Sequence, residues 1–171
     1  MKAVIVGCGR VGALVADTLD AAGHEVIILD VRTRSFDRLS SGFGGSAVRG
    51  DGTDEDVLRR AGAEDADVFF ALTEGDNRNV MATQLATESL GAQRVIAKIN
   101  DPVRAAAYAD LGLATLNRTT LQADALFTYL GLPTVGAAGV HPPTRTHHPG
   151  EPGDATGNQS NTPTALSARE A

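Results

Sequence analysis

The chain has 171 residues, 42% hydrophobic and 21% charged, with a formal net charge of −6. That length holds one ordinary globular domain plus something short, and the acidic balance, without any Lys/Arg run, gives a nucleic acid no electrostatic hold. A single cysteine, Cys8, excludes an internal disulfide, and no apolar run approaches the ~18 residues of a membrane span.

In chain order, a short apolar run, Ala3–Val6, leads into Gly7-x-Gly9-x-x-Gly12. Met1–Val6 runs straight into this strand and loop, which leaves no room for a signal peptide, so a cytoplasmic protein is expected. A helical pattern follows, with Val11, Leu14, Val15, Thr18 and Leu19 on one face. The next strand-like run, Val26–Leu29, ends at Asp30. This is the dinucleotide-binding fingerprint, with its acid about twenty residues downstream. Gly7 permits the tight turn, Gly9 lets the backbone approach a phosphate, and Gly12 lets the helix pack on the strand. The helix N-terminus then presents free N–H groups to the anion. The Asp30 carboxylate would accept from the two hydroxyls of a ribose and repel a 2′-phosphate, so NADP is disfavoured, although Arg32 and Arg34 soften the argument.

Further strand-like runs are Ala47–Val48, Val68–Leu72, Val95–Ile99 and, weakly, Ala114–Leu116, with helix-like segments between. Each run is mostly apolar, as expected where both faces of a sheet are covered. Thr53-Asp54-Glu55-Asp56 reads as an acidic cap, Asp101-Pro102 as N-cap plus N1, and Gly131 and Pro133 as the stop of a last helix, Leu121–Leu130. The alternation predicts an α/β fold: a Rossmann-like, doubly wound parallel sheet of about six strands with helices on both faces, over residues 1–133. Beyond Pro133 the large aliphatics are only Val135, Val140 and Leu166, and a Pro/Gly/Thr/His-rich, disordered tail is expected over 134–171. His141, His147 and His148 in that tail read as unstructured polar residues rather than as metal ligands.

Several positions carry the chemistry. Arg10, at the helix mouth, faces either a phosphate or solvent. Gly50-Asp51-Gly52-Thr53 follows the third strand; Asp51 either accepts from an exocyclic amine or caps the next helix. Leu72-Thr73 ends the fourth strand and Lys98 lies near the end of the fifth, both on the half of the crevice where a second nucleotide moiety would lie. Lys98 either neutralises a phosphate or snorkels. Cys8 is either a helix-terminus thiol of lowered pKa or a small residue filling the turn.

Together, Gly7-Cys8-Gly9-Arg10-Val11-Gly12, Asp30, Gly50-Asp51-Gly52-Thr53, Thr73-Glu74-Gly75-Asp76-Asn77 with Asn79, and Val95–Ile99 running into Asn100-Asp101-Pro102 resemble the TrkA-N/RCK domain. RCK stands for regulator of potassium conductance. The resemblance covers about residues 1–132. It implies a non-enzymatic, nucleotide-sensing regulatory subunit that assembles as a homo-oligomeric ring. Such a subunit lies at the inner face of the membrane and gates a potassium channel or transporter partner. It also implies NAD(H) or ATP/ADP as ligand, bound at the positions matching Gly7, Cys8, Gly9, Arg10, Val11, Gly12, Asp30, Asp51, Thr73 and Lys98, with Gly52 and Leu72 beside them. Family members usually carry a second, TrkA-C domain, for which the tail is too short and too polar. The rival reading is an NAD-dependent oxidoreductase, or a detached cofactor-binding module of a larger enzyme.

Overall fold

The computed structural model describes residues 1–135 and 140–141. Six strands, β1 (Lys2–Val6), β2 (Glu25–Asp30), β3 (Ser46–Arg49), β4 (Val68–Ala71), β5 (Val95–Lys98) and β6 (Thr115–Leu116), pair in parallel. A seventh, β7 (Val140–His141), adds antiparallel to β6. The sheet order is β3-β2-β1-β4-β5-β6-β7. The chain therefore runs outward from β1 to β3, crosses back to β4, and continues outward in the other direction. The order reverses between β1 and β4, which is where an open α/β sheet leaves a crevice beyond its carboxyl ends.

Period two along the strands sorts side chains onto opposite faces. Val4, Val6, Ile27, Leu29, Phe69 and Ala71 join Leu58, Ala82 and Ala86 of α2 (Glu55–Arg60) and α3 (Asp76–Glu88). Ile5, Val26 and Ile28 instead meet Ala13 and Ala16 of α1 (Arg10–Ala21), together with Cys8 and Phe36. A smaller cluster sets Val80, Ala97 and Ile99 against Ala105 of α4 (Pro102–Asp110). Val4, Ile5, Ile28 and Leu29 are wholly buried, each contributing roughly 1.5–3 kcal/mol to the fold.

The caps hold as the sequence predicts. Asp54 accepts from the Val57 N–H at 3.2 Å, and Asp101 accepts from Val103 and Arg104, with Pro102 next. Two elements differ. Between β2 and β3 the chain forms a short 3-10 helix, Thr33–Arg38. The last helix, α5, runs Arg118–Tyr129 rather than starting at Leu121, because Asn117 caps it by accepting from the Thr120 N–H at 2.8 Å. The β-branched Thr119-Thr120 pair masks that start in the sequence.

Of the expected disordered tail, Thr134, Val135 and the backbone of Val140–His141 are described, and the last two form a strand. Val135 also donates its N–H to Asp124 of α5 at 2.7 Å. The rest of that expectation, with His147 and His148, lies outside the described residues.

Candidate functional site

A cavity of about 300 Å³ opens at the reversal point. Gly7, Cys8, Gly9, Arg10, Asp30, Asp51, Gly52, Leu72 and Thr73 line it together. Val11, Gly12 and Lys98, named with them from the sequence, do not: Val11 turns half-exposed to the outside, Gly12 is buried beneath the loop, and Lys98 sits behind Glu74. The lining also includes Arg32, Ser35, Arg38 and Arg78. Ser35 and Arg38 reach the crevice because the chain after β2 folds into a tight 3-10 helix. Arg78 enters from the first turn of α3. No residue pattern in the sequence marks either arrival, although Arg78 follows the Thr73–Asn77 stretch closely.

The loop geometry explains its glycines in two different ways. Gly7 has φ +106°, and a Cβ there would come 3.0 Å from the Leu72–Thr73 peptide. A Cβ on Gly12 would lie 2.0 Å from the Gly7 carbonyl oxygen. Both glycines are therefore required by the fold itself. Gly9 is not. Its φ of −80° and ψ of −172° suit any residue, and a Cβ there meets nothing within 4 Å. As N-cap of α1, Gly9 also supplies no side chain to the first-turn N–H groups. Those donors need an outside acceptor, and a helix N-terminus of this kind fits an anion.

Asp30 is already engaged with the loop. One carboxylate oxygen accepts from the Cys8 N–H at 3.0 Å and the other from the Arg32 N–H at 2.9 Å. The carboxylate thus pins the glycine loop to the end of β2, with lone pairs left over for hydroxyl donors. Asp51 accepts from both the backbone N–H and the hydroxyl of Thr53, at 3.0 and 2.8 Å. These two bonds lower its pKa, the backbone one most, and keep it ionised. The cap of α2 is Asp54, so Asp51 does not cap that helix.

Cys8 resolves as the turn-filling residue. It is fully buried, and its thiol donates to the Ser35 carbonyl oxygen at 3.3 Å. Burial first, and the Asp30 charge second, push its pKa up to about 11. The thiol should resist an aromatic disulfide reagent at pH 8, reacting only as fast as the protein unfolds. Because the folded thiol holds its proton more tightly than its ordinary value of 9.0, stability should fall as pH rises from about 9 to 11. Rapid labelling of the native protein at pH 8 would contradict this burial.

A polar spine runs along the carboxyl ends of the strands. Asn79, wholly buried, accepts from the backbone N–H and hydroxyl of Thr73 and donates to the carbonyls of Thr73 and Lys98. It clamps the end of β4 to that of β5. Asn117, also buried, donates to the Ile99 and Asn100 carbonyls and caps α5. It clamps β5 to β6.

A family model for the TrkA-N domain matches residues 3–117. A Trk system potassium uptake protein TrkA of Streptomyces coelicolor is 45% identical over 130 residues, which is 76% of this chain and 58% of the relative. A TrkA homolog of Pyrococcus abyssi is 37% identical over 102 residues, 60% of this chain and 45% of the relative. The chain thus spans about half the length of the curated relatives it matches. Among solved structures, the TrkA-N domain of the inner membrane protein ybaL of Escherichia coli superposes with a TM-score of 0.67 at 21% identity, covering 75% of this chain and 96% of that one. The GsuK channel bound to NAD superposes at 0.60 and 20% identity over 76% of this chain and 23% of that one. GsuK bound to ADP superposes at 0.60 and 17% identity, over 74% of this chain and 33% of that one. These superpositions establish the shared fold.

Proposed function

Since the chain belongs to the TrkA-N domain family, we propose that it is a nucleotide-sensing regulatory module of a potassium channel or transporter. It takes NAD(H) or ATP/ADP in the crevice between Gly9, Asp30 and Thr73. A ligand that binds two conformations unequally shifts their populations, and a docked membrane partner reads the shift. The names of the potassium-uptake relatives and the NAD- and ADP-bound GsuK structures support this reading. Among the described residues no helix is long and apolar enough to cross a membrane. In this reading the module sits on the cytoplasmic face, held there by its partner, and its effect is read as nucleotide-dependent ion flux through that partner.

The observation that carries the ligand is Gly9, a glycine that nothing in the fold requires. Its missing side chain matters only to something that approaches from the crevice. A nucleotide at a hundredfold excess over its Kd should stabilise the protein by roughly 2.7 kcal/mol. For a domain of this size that raises the melting temperature by on the order of 8–15 °C. Gly9→Ala should cost the free protein at most about 1 kcal/mol, the penalty of a poor N-cap, and abolish most of the ligand shift. A thermal-shift panel of NAD⁺, NADH, ATP, ADP and NADPH on both proteins tests this. No shift with any of the five would sink the reading, and a larger shift with NADPH than with NADH would remove the ribose role given to Asp30.

The regulatory reading is favoured over an oxidoreductase by what lines the crevice. Among the described residues its ionisable groups are arginines and carboxylates besides Cys8, while His24 lies elsewhere, its ring nitrogen 3.5 Å from the Met1 amine. The module also assembles as a homo-oligomer. On α5 the only buried residue is Asp124, while Leu126 is 65% and Tyr129 89% exposed. Such a helix is expected to find apolar cover in a second copy. Light scattering at micromolar concentration should show a dimer or larger; a clean monomer counts against it.

A further inference from the structure

The 3-10 helix Thr33–Arg38 builds a second basin beside the crevice. Such a helix has three residues per turn, so side chains at i and i+3 eclipse. The Ser35 N–H donates to the Arg32 carbonyl at 2.9 Å, and Arg32, Ser35 and Arg38 fall along one edge. These three residues line the crevice and also an adjoining cavity of about 400 Å³, which makes the edge a shared ridge. Arg34 and Asp37, again three apart, line only the second cavity. Three guanidinium groups thus share the basin with one carboxylate, in a chain that has 21 Asp and Glu against 15 Lys and Arg. None of the three arginines forms an ion pair among the described residues. Arg38 spends one N–H on the Ser35 carbonyl oxygen at 3.3 Å, which steadies its fork. Ser35 itself is 5% exposed, and its hydroxyl has no hydrogen-bond partner among the described residues. Polar groups of so buried a residue are ordinarily paired, and this one borders open space on both sides of the ridge.

We propose that this basin is a second anion site, separate from the nucleotide crevice, and that it takes a phosphate monoester. Three guanidinium charges less one carboxylate leave about +2, and a phosphate monoester carries about −1.5 to −2 at neutral pH. Its three terminal oxygens accept more hydrogen bonds than a carboxylate can, and guanidinium forks pair with such oxygens two at a time. Arg34 and Arg38 supply the forks, and the Ser35 hydroxyl supplies a neutral donor between them. The site does not depend on the nucleotide reading, because Arg34 belongs to the basin and not to the crevice. A free phosphate ester and the headgroup of phosphatidic acid present the same chemistry, and the test separates them.

The full chain is titrated calorimetrically with glycerol 3-phosphate at fixed ionic strength. It is also floated with phosphatidylcholine vesicles carrying phosphatidic acid or, at equal charge, phosphatidylserine. Saturable binding of glycerol 3-phosphate assigns a free ester, and flotation with phosphatidic acid in its place assigns the lipid headgroup. In either case Arg34→Gln should weaken binding by roughly tenfold or more, and Ser35→Ala by roughly two- to tenfold. Arg34→Gln should leave the urea midpoint unchanged and ADP affinity within about twofold, since that side chain lies outside the crevice. Several results overturn the site: no binding in either format, succinate bound as well as glycerol 3-phosphate, equal flotation with phosphatidylserine, or full binding by Arg34→Gln. One-for-one displacement by ADP would put the probe in the crevice and overturn it too. Displacement by NADPH but not NADH would make the basin the seat of a ribose 2′-phosphate, which overturns it as a separate site. If ADP fails to bind while glycerol 3-phosphate binds through Arg34, the nucleotide reading fails and the basin stands.

Discussion

Gly12→Ala is expected to lose the fold, not merely the ligand. The added methyl would sit 2.0 Å from the carbonyl oxygen of Gly7, a backbone atom that cannot rotate away. Relief requires α1 to lift from β1, and that interface buries Ala13 and Ala16 against Ile5 and Ile28. Overpacking of an ordered core typically costs about 1–3 kcal/mol, and here the clash is with backbone, so a loss of about 3 kcal/mol or more is expected. Against the marginal stability of an ordinary domain, about 5–15 kcal/mol, this shows as a large fall in the urea midpoint with the slope unchanged. A Gly12→Ala protein that melts like wild type would mean that the loop and helix are far more plastic than this packing allows. The pairing of this result with Gly9→Ala is informative: two glycines three residues apart should separate cleanly, one into folding and the other into binding.

Asn79→Ala should be nearly as severe. The side chain is wholly buried and uses both its oxygen and its nitrogen on Thr73 and Lys98. Truncation leaves the Thr73 N–H and the Lys98 carbonyl without these partners at a point where water has little access. Each orphaned group costs about 1–3 kcal/mol, so a loss of about 3–5 kcal/mol is expected. Asn79→Asp keeps the acceptor for Thr73 but puts a second oxygen against the Lys98 carbonyl, and it should also destabilise, by an amount that shrinks at low pH as the carboxyl protonates. Thermal or urea melts of the two variants at pH 7 and pH 4 check both statements. Wild-type stability in Asn79→Ala would show that the strand ends are held by packing alone.

The fold was legible in this sequence because its strands are short apolar runs bounded by strong punctuation. Gly7, Asp30, Gly50 and Asp101-Pro102 each mark an element end with a distinct physical signature, and the structure places element ends at or beside all of them. The start of α5 was not legible, since Asn117 caps it through a hydrogen bond that threonines at the next positions disguise. The crevice was legible where its residues sit on a loop with a positional rule, as Gly7–Arg10 and Asp30 do. Ser35, Arg38 and Arg78 were missed because they arrive through the turn of a 3-10 helix and the rotation of α3, which no local pattern encodes. Lys98 was named from its place at a strand end. Its strand ends on the right side of the sheet, but Glu74 lies between it and the cavity, and side-chain occlusion is not a property of spacing.

Every described residue that lines the crevice falls between Val6 and Arg78. The strands that hold them, β3-β2-β1-β4, are contiguous in the sheet and also in the first half of the chain. A ribosome delivers a polypeptide from its N-terminus, at about 5–20 residues per second. Every described residue that lines the pocket has therefore been synthesised while β5, β6 and α5 are still being made. The residues that would meet a ligand thus leave the ribosome before the surface carried by α5 exists, and β5 then adds to the open edge of β4, where Asn79 clamps the two strand ends.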